Sequence, residues 1–284
     1  MFGRATRLIR RLKASRPARA AMRYNELRGN RLAGAVSFYG FVSLFPLLII
    51  AAAVIAGAVG PEGVADLQDI VNENLPGLDL NVESFANRAT TIGLVGGVIL
   101  LWTGLSWVDA TRAAVRSMWE LDDQPGNVVV RKMLDLAALA GLGLVLAVSW
   151  SASVFVGSAA DEVLDHLGFG IGDALSRAVA LMLAILASSA LFAYMLSGLP
   201  RIRVPWRVLV HIALAGGLGF ELLKQLVAQF AFVIAPDNTY AAFAVPLALL
   251  AWIYLVTRLL MLLAAFSAEW AIDHAGNAAV VRAA

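Results

Sequence analysis

Six apolar stretches set the terms for everything this chain can fold into; they lie at 33–59, 91–109, 133–157, 174–199, 207–234 and 241–268. A helix needs roughly 20 apolar residues to cross a hydrocarbon core about 30 Å thick, and most of these stretches reach that length. Sixty per cent of the 284 residues are hydrophobic and the mean hydropathy is +0.78. A helix on the surface of a soluble domain would be interrupted by polar residues at every turn or two, leaving one apolar stripe. These stretches mostly are not. Backbone groups in lipid must bond within their own segment, so each stretch is helical unless it closes into a barrel, and the period-two alternation of a barrel strand is absent. The expected fold is all-α: a polytopic membrane bundle with six transmembrane helices. A basic cytoplasmic or interfacial segment at 1–32 precedes the 33–268 membrane domain, and a cytoplasmic tail at 269–284 follows it.

The charges between the stretches sort by sign, and Lys and Arg near span ends report the cytoplasmic side. Residues 1–32 carry Arg4, Arg7, Arg10, Arg11, Lys13, Arg16, Arg19, Arg23, Arg28 and Arg31 against Glu26 alone. The 60–90 loop holds Glu62, Asp66, Asp69, Glu73, Asp79 and Glu83 against Arg88. Arg112, Arg116, Arg131 and Lys132 mark the next connection, and Asp161, Glu162, Asp165 and Asp173 the one after it. Arg201, Arg203 and Arg207 follow, then a short loop with Asp237. Basic and acidic connections alternate, which predicts both termini in the cytoplasm and the acidic loops outside.

Such a basic start adjoins anionic headgroups, each near-surface charge contributing about 1 kcal/mol. Leu8, Ile9 and Leu12 give residues 2–14 one apolar edge, consistent with a helix lying at the interface. This reading is preferred to nucleic-acid binding. The first apolar run, about 27 residues, is too long for the core of a cleaved signal peptide. In the outer loop, Val64, Leu67, Ile70 and Val71 recur at helical spacing, and Val82, Phe85 and Ala89 can start another short helix after Asn74–Gly77. Short amphipathic helices in loop 60–90 are therefore expected, as a cap or as a lid that recognises a substrate. Beyond the second span, Arg112, Arg116 and Trp119 continue a helix that is expected to protrude into the cytoplasm as far as Asp122–Gly126.

Ionisable residues at membrane depth cost roughly 2.5–3.5 kcal/mol on insertion scales and must face protein, water or a partner. Glu221 and Lys224 are three residues apart in the fifth span and share one helix face. Their depth permits Glu221 to meet Arg258 of the sixth span across two antiparallel helices. That arrangement would be either an ion pair fixing the packing or a polar cavity for a substrate or proton. Glu221, Lys224 and Arg258 are the candidate intramembrane site. Asp109 and Arg112 stand at (i, i+3) and either pair or bind a headgroup. Pro46 and Pro246 each remove a backbone bond inside a span, which can open a cavity. No metal site is expected from three scattered histidines and no cysteine, and no cofactor or catalytic residue is predicted.

Four segments together resemble the YihY/virulence factor BrkB family. Arg31-LAGAVSFYGFVSLFPLLII, ending at Ile50, is similar to its "YyalfSLfPlL" signature. LLWTGLSWVDATRAAVRSMWEL (100–121) resembles the family's Trp-containing span and the helix after it. LFAYMLSGLPRIRVPWR (191–207) resembles "l.Y.llP..r..wr", and PLALLAWIYLVTRLLMLLAAFSAEW (246–270) resembles "l.lLlWlYl...illlGAe". Tyr39, Ser43, Pro46, Trp102, Pro200, Trp252, Tyr254 and Glu269 match the pattern. The chain departs from it at Val210-His211, at Tyr240-Ala241 and at Phe266-Ser-Ala-Glu269. Tyr39, Ser43, Pro46 and Trp252 are taken as helix-shaping motif residues.

The resemblance implies a multi-pass protein of the bacterial inner membrane, tied to envelope integrity, that transports or flips a lipid or envelope precursor. A structural membrane protein that binds envelope partners is the alternative. The family's older ribonuclease label gains no support, because a metal-dependent nuclease needs clustered ligands to activate water. The chain is thus expected not to be an enzyme. Its expected partners are membrane lipids, with a lipid or envelope precursor as substrate and no nucleic acid. No P-loop is present to power transport. Oligomeric state, energy source and substrate identity are not encoded in any motif.

Overall fold

The computed structural model describes residues 15–47, 50, 89–141, 172–231 and 241–275, and every regular element among them is helical. In chain order these are α1 (Arg16–Glu26), α2 (29–47), α3 (Ala89–Met118), α4 (128–141), α5 (Gly172–Ala193), a five-residue π-helical turn (Tyr194–Gly198), α6 (Trp206–Ala231) and α7 (Ala241–Ala275). The helices expected in loop 60–90, the interfacial helix over 2–14 and the far ends of the first and third spans lie outside the described residues. Among the described residues, four helical segments are long and apolar enough to cross a membrane: Gly93–Met118, Leu181–Gly198, Trp206–Val227 and Pro246–Asp273. At about 1.5 Å per residue each reaches roughly 27 Å or more, close to the hydrocarbon thickness.

The chain divides into two compact units, Met1–Ser37 with Val108–Ala284, and Phe38–Trp107. In the larger unit α5 packs on α6, α6 on α7, and α1 on α7. Its buried side chains gather toward the basic connections: Met118, Leu196, Leu199, Val208, Ile212, Leu260 and Met261 are almost fully enclosed. Leu222, Leu226 and Leu247 are exposed instead, as expected of side chains whose solvent is lipid. Close approach of α5 and α6 depends on Gly217. A Cβ there would stand 2.6 Å from the Ile185 carbonyl oxygen, so only glycine lets these helices meet.

The smaller unit shows how polar residues are kept inside apolar helices. The Ser43 hydroxyl donates to the Tyr39 carbonyl at 2.8 Å, and Ser106 donates to Trp102 at 2.8 Å. Each hydroxyl is satisfied within its own helix and exposes no unpaired group to lipid. Pro46 leaves the Val42 carbonyl without its usual helical donor. Phe38–Tyr39 and Phe41–Phe45 form edge-to-face ring pairs along the same helix.

The polar C-terminal end of α3 is packed against protein. Val115, Met118 and Trp119 are buried, and Arg112 and Arg116 are enclosed with them. The two guanidinium groups are held by carbonyls and carboxylates of neighbouring segments, so packing them costs less than their charge suggests.

Candidate functional site

Of the three candidate intramembrane residues, Glu221 and Lys224 lie together on α6, against α5. Glu221 lies about 22 Å along α6 from Trp206 and is buried, at 8% exposure. Its Oε1 accepts from Lys224 Nζ at 2.8 Å and from the Ser188 hydroxyl of α5 at 3.1 Å. The two partners differ: the Lys224 side chain is 43% exposed, whereas that of Glu221 is 11% exposed. Lys224 also lies 5.1 Å above the Phe220 ring, a cation–π contact. Phe220 stands 6.2 Å from Phe192 of α5 and 5.7 Å from Trp252 of α7. Trp252 thus joins the site through an aromatic chain that crosses three helices.

Arg258 is placed elsewhere. Among the described residues it forms no ion pair with Glu221; it is exposed and acts on the Tyr24 hydroxyl of α1. Tyr24 donates to Asn30 Oδ1 at 2.6 Å, and Tyr254 approaches the same oxygen at 3.4 Å. Burial pushes the Tyr24 hydroxyl above its usual range, and the Arg258 charge opposes that rise. The Tyr24 ring lies directly over Gly29, where a Cβ would clash with it. The expected Glu221–Arg258 bridge fails because α7 is apolar on nearly every face, so hydropathy alone does not fix its rotation. Of the other motif residues, Tyr39 and Ser43 share one backbone-linked turn of α2, and Pro46 lies one turn beyond.

Two charge clusters near the basic connections were not read from the sequence. In the first, α1 is clamped to the end of α7. Arg16 meets Asp273 at 2.9 Å, Arg19 meets Asp273 at 2.6 Å and Glu269 at 3.1 Å, and Arg23 meets Glu269 at 3.1 Å. Arg23 also donates to the Met118 carbonyl at 2.7 Å and pairs with Glu120 at 3.4 Å. These three basic residues are held by protein carboxylates, not left to lipid headgroups alone.

The second cluster surrounds Asp135, which is fully buried. Its carboxylate receives Arg112 at 3.0 and 3.3 Å and Arg201 at 3.0 Å. Arg112 pairs with Asp109 as well, which is the (i, i+3) pairing the sequence suggested. Lys132 stands 3.4 Å from the other Asp109 oxygen. Tyr194 ties the π-helical turn to α4 through the Ala138 carbonyl at 2.7 Å. Asp135 had a signal in the sequence, a lone acid inside Met133-Leu-Asp-Leu136, yet Arg131 and Lys132 beside it make it resemble an interfacial flank.

Long apolar helices with outward-facing leucines, and ionisable groups paired inside them, define a polytopic α-helical membrane protein. The chain belongs to the virulence factor BrkB family, whose model matches residues 20–281. It is 29% identical over 266 residues to the inner membrane protein YhjD of Escherichia coli K12, covering 88% of this chain and 79% of that protein. It is also 29% identical over 289 residues to an uncharacterised protein of Dickeya dadantii, covering 94% and 88%. A UPF0761 membrane protein of Paraburkholderia xenovorans is 28% identical over 251 residues, which is 83% of this chain but 55% of that longer relative. No solved structure matches the chain.

Proposed function

We propose that this chain is a six-span protein of the bacterial inner membrane, with both termini cytoplasmic, that moves a lipid or envelope precursor between leaflets and catalyses no covalent chemistry. The observation that carries the transport reading is the asymmetry of the Glu221–Lys224 pair. A buried carboxylate, also bonded by Ser188 of α5, holds an ammonium that is nearly half exposed. An anionic headgroup can therefore compete for Lys224 while Ser188 continues to satisfy Glu221. A packing bridge would enclose both partners. The sorting of Lys and Arg supports the orientation, and the name of the YhjD relative supports the inner membrane.

Reconstitution into vesicles containing fluorescent phosphatidylglycerol tests this, with dithionite quenching as the readout of movement between leaflets. Wild type is expected to accelerate exchange, while Glu221→Gln and Lys224→Gln cut the rate at least tenfold with unchanged thermal stability. Variants that lose stability but, once folded, move lipid like wild type would leave the pair a packing role. One observation favours the alternative, a structural role within the envelope: α1, α3 and α7 are clamped by ion pairs at their basic ends. On that reading wild-type vesicles show no exchange above protein-free vesicles.

A further inference from the structure

A third place where charge is buried lies apart from the Glu221–Lys224 pair, around the turn between α3 and α4. Three consecutive carbonyls of this turn each accept from a different arginine. Asp122 receives Arg116 Nε at 2.6 Å, Asp123 receives Arg112 Nη1 at 2.8 Å, and Gln124 receives Arg131 Nη1 at 3.1 Å. Arg112 is neutralised by Asp135 and Asp109. Arg116 and Arg131 are not. They are 6% and 7% exposed, and neither forms an ion pair among the described residues. Their remaining bonds go to neutral oxygens, Pro200 O at 3.0 Å for Arg116 and Gln124 Oε1 at 3.2 Å for Arg131.

Asp122 and Asp123 attract the Arg116 guanidinium from a distance, but neither pairs with it. The Asp122 and Asp123 side chains are exposed and engaged with the Gln124 N–H and the Ser117 hydroxyl. Asp135 is already shared by Arg112 and Arg201. Two buried N–H donors of this region, Arg131 Nε and Trp119 Nε1, have no acceptor among the described residues. A buried donor without an acceptor and a buried cation with no carboxylate in contact are each costly, and an oxyanion relieves both. Guanidinium groups match phosphate oxygens in charge and geometry. Beside Arg131, the first turns of α4 turn apolar side chains outward: Val129 is 70% exposed, Val130 57% and Met133 64%. A ligand satisfying both features has a phosphate at one end and hydrocarbon at the other.

We propose that Arg116 and Arg131 bind the phosphate of an anionic phospholipid whose acyl chains lie along Val129, Val130 and Met133. This site does not depend on transport; a membrane protein that moves nothing would hold the lipid in the same way.

Native mass spectrometry of the full chain, released from neutral, phosphate-free detergent, tests it with three probes: dioctanoyl phosphatidylglycerol, dioctanoylglycerol and inorganic phosphate. Wild type is expected to carry one phosphatidylglycerol at low lipid ratios, with dioctanoylglycerol at least tenfold weaker. Arg131→Gln and Arg116→Gln should each weaken the adduct tenfold or more, Arg131→Lys by a smaller factor, and Glu221→Gln not at all. Inorganic phosphate that binds as tightly as the lipid would overturn the lipid assignment in favour of a soluble phosphate ligand. Wild type that binds no phosphatidylglycerol stoichiometrically, or binds dioctanoylglycerol equally, would overturn the site altogether, and this arm needs no variant to fold. Unchanged lipid binding in both folded glutamine variants would do the same.

Discussion

Asp135 and Asp109 both pair with Arg112, but burial sets very different values on the two contacts. Asp135 is fully buried against a guanidinium that is itself fully buried, and removing its charge leaves Arg112 short of its enclosed counter-ion. Asp135→Asn should cost about 3–5 kcal/mol, read as a large loss of thermal stability in detergent. Asp109 is 32% exposed and solvent screens it; Asp109→Asn should cost less than about 1 kcal/mol. Equal losses for the two would contradict a buried Asp135. Backbone conformation gives a prediction of the opposite sign. Arg28, Glu120 and Arg201 adopt left-handed conformations, with φ of 55°, 55° and 56°. Glu120 and Arg201 also make ion pairs. Arg28 is exposed at the exit from α1, where a side chain costs about 1 kcal/mol relative to glycine. Arg28→Gly should raise the melting temperature, and a fall would show that the Arg28 side chain makes a contact worth more than the strain.

At the scale of elements, the α5–α6 pair rests on the adjacent glycines Gly216 and Gly217, and the α1–α7 pair on charge. Gly217→Ala should cost more than about 2 kcal/mol, because the new methyl meets the rigid Ile185 carbonyl and not a side chain that can turn away. Gly93 has open space around its Cβ position, and the same substitution there should be tolerated within about 1 kcal/mol, helix propensity favouring alanine. For the clamp, a double-mutant cycle on Arg23→Ala and Glu269→Ala should return a coupling of about 1 kcal/mol or more. Zero coupling would make the contact incidental. Much of this level was legible in the residues. The apolar stretches anticipated α3, α5, α6 and α7, since lipid demands long uninterrupted helices and composition records that demand. The Glu221–Lys224 contact was legible too, because three-residue spacing brings side chains together on any helix. The partner of Arg258 was not: it depends on how α7 is rotated, and a helix apolar all round carries no stripe to say so. The burial of Arg112 and Arg116 was equally hidden, because a run of arginine after a span reads as a solvated end until the carbonyls that receive it are in place.

For the whole molecule, the alternation of basic and acidic connections makes a prediction about orientation that the absence of native cysteine makes easy to test. A single cysteine at Ala283 should react with a membrane-impermeant maleimide only after the cells are opened, and one at Asn72 should react in intact cells. The opposite pattern would invert the proposed topology. The clamp between α1 and α7 bears on the order in which such a molecule is made. Arg16 and Asp273 are separated by 257 positions in the chain. At roughly 5–20 residues per second of synthesis, Arg16 emerges about 13 to 50 s before the carboxylate it will meet. During that interval Arg16 and Arg19 await their carboxylates while Arg23 can already meet Met118 and Glu120, and on the proposed topology basic residues before the first span help hold the growing chain's start on the ribosome side. On that topology the same charges would act first as a signpost for insertion and later as a lock, which closes only when the last helix has been made.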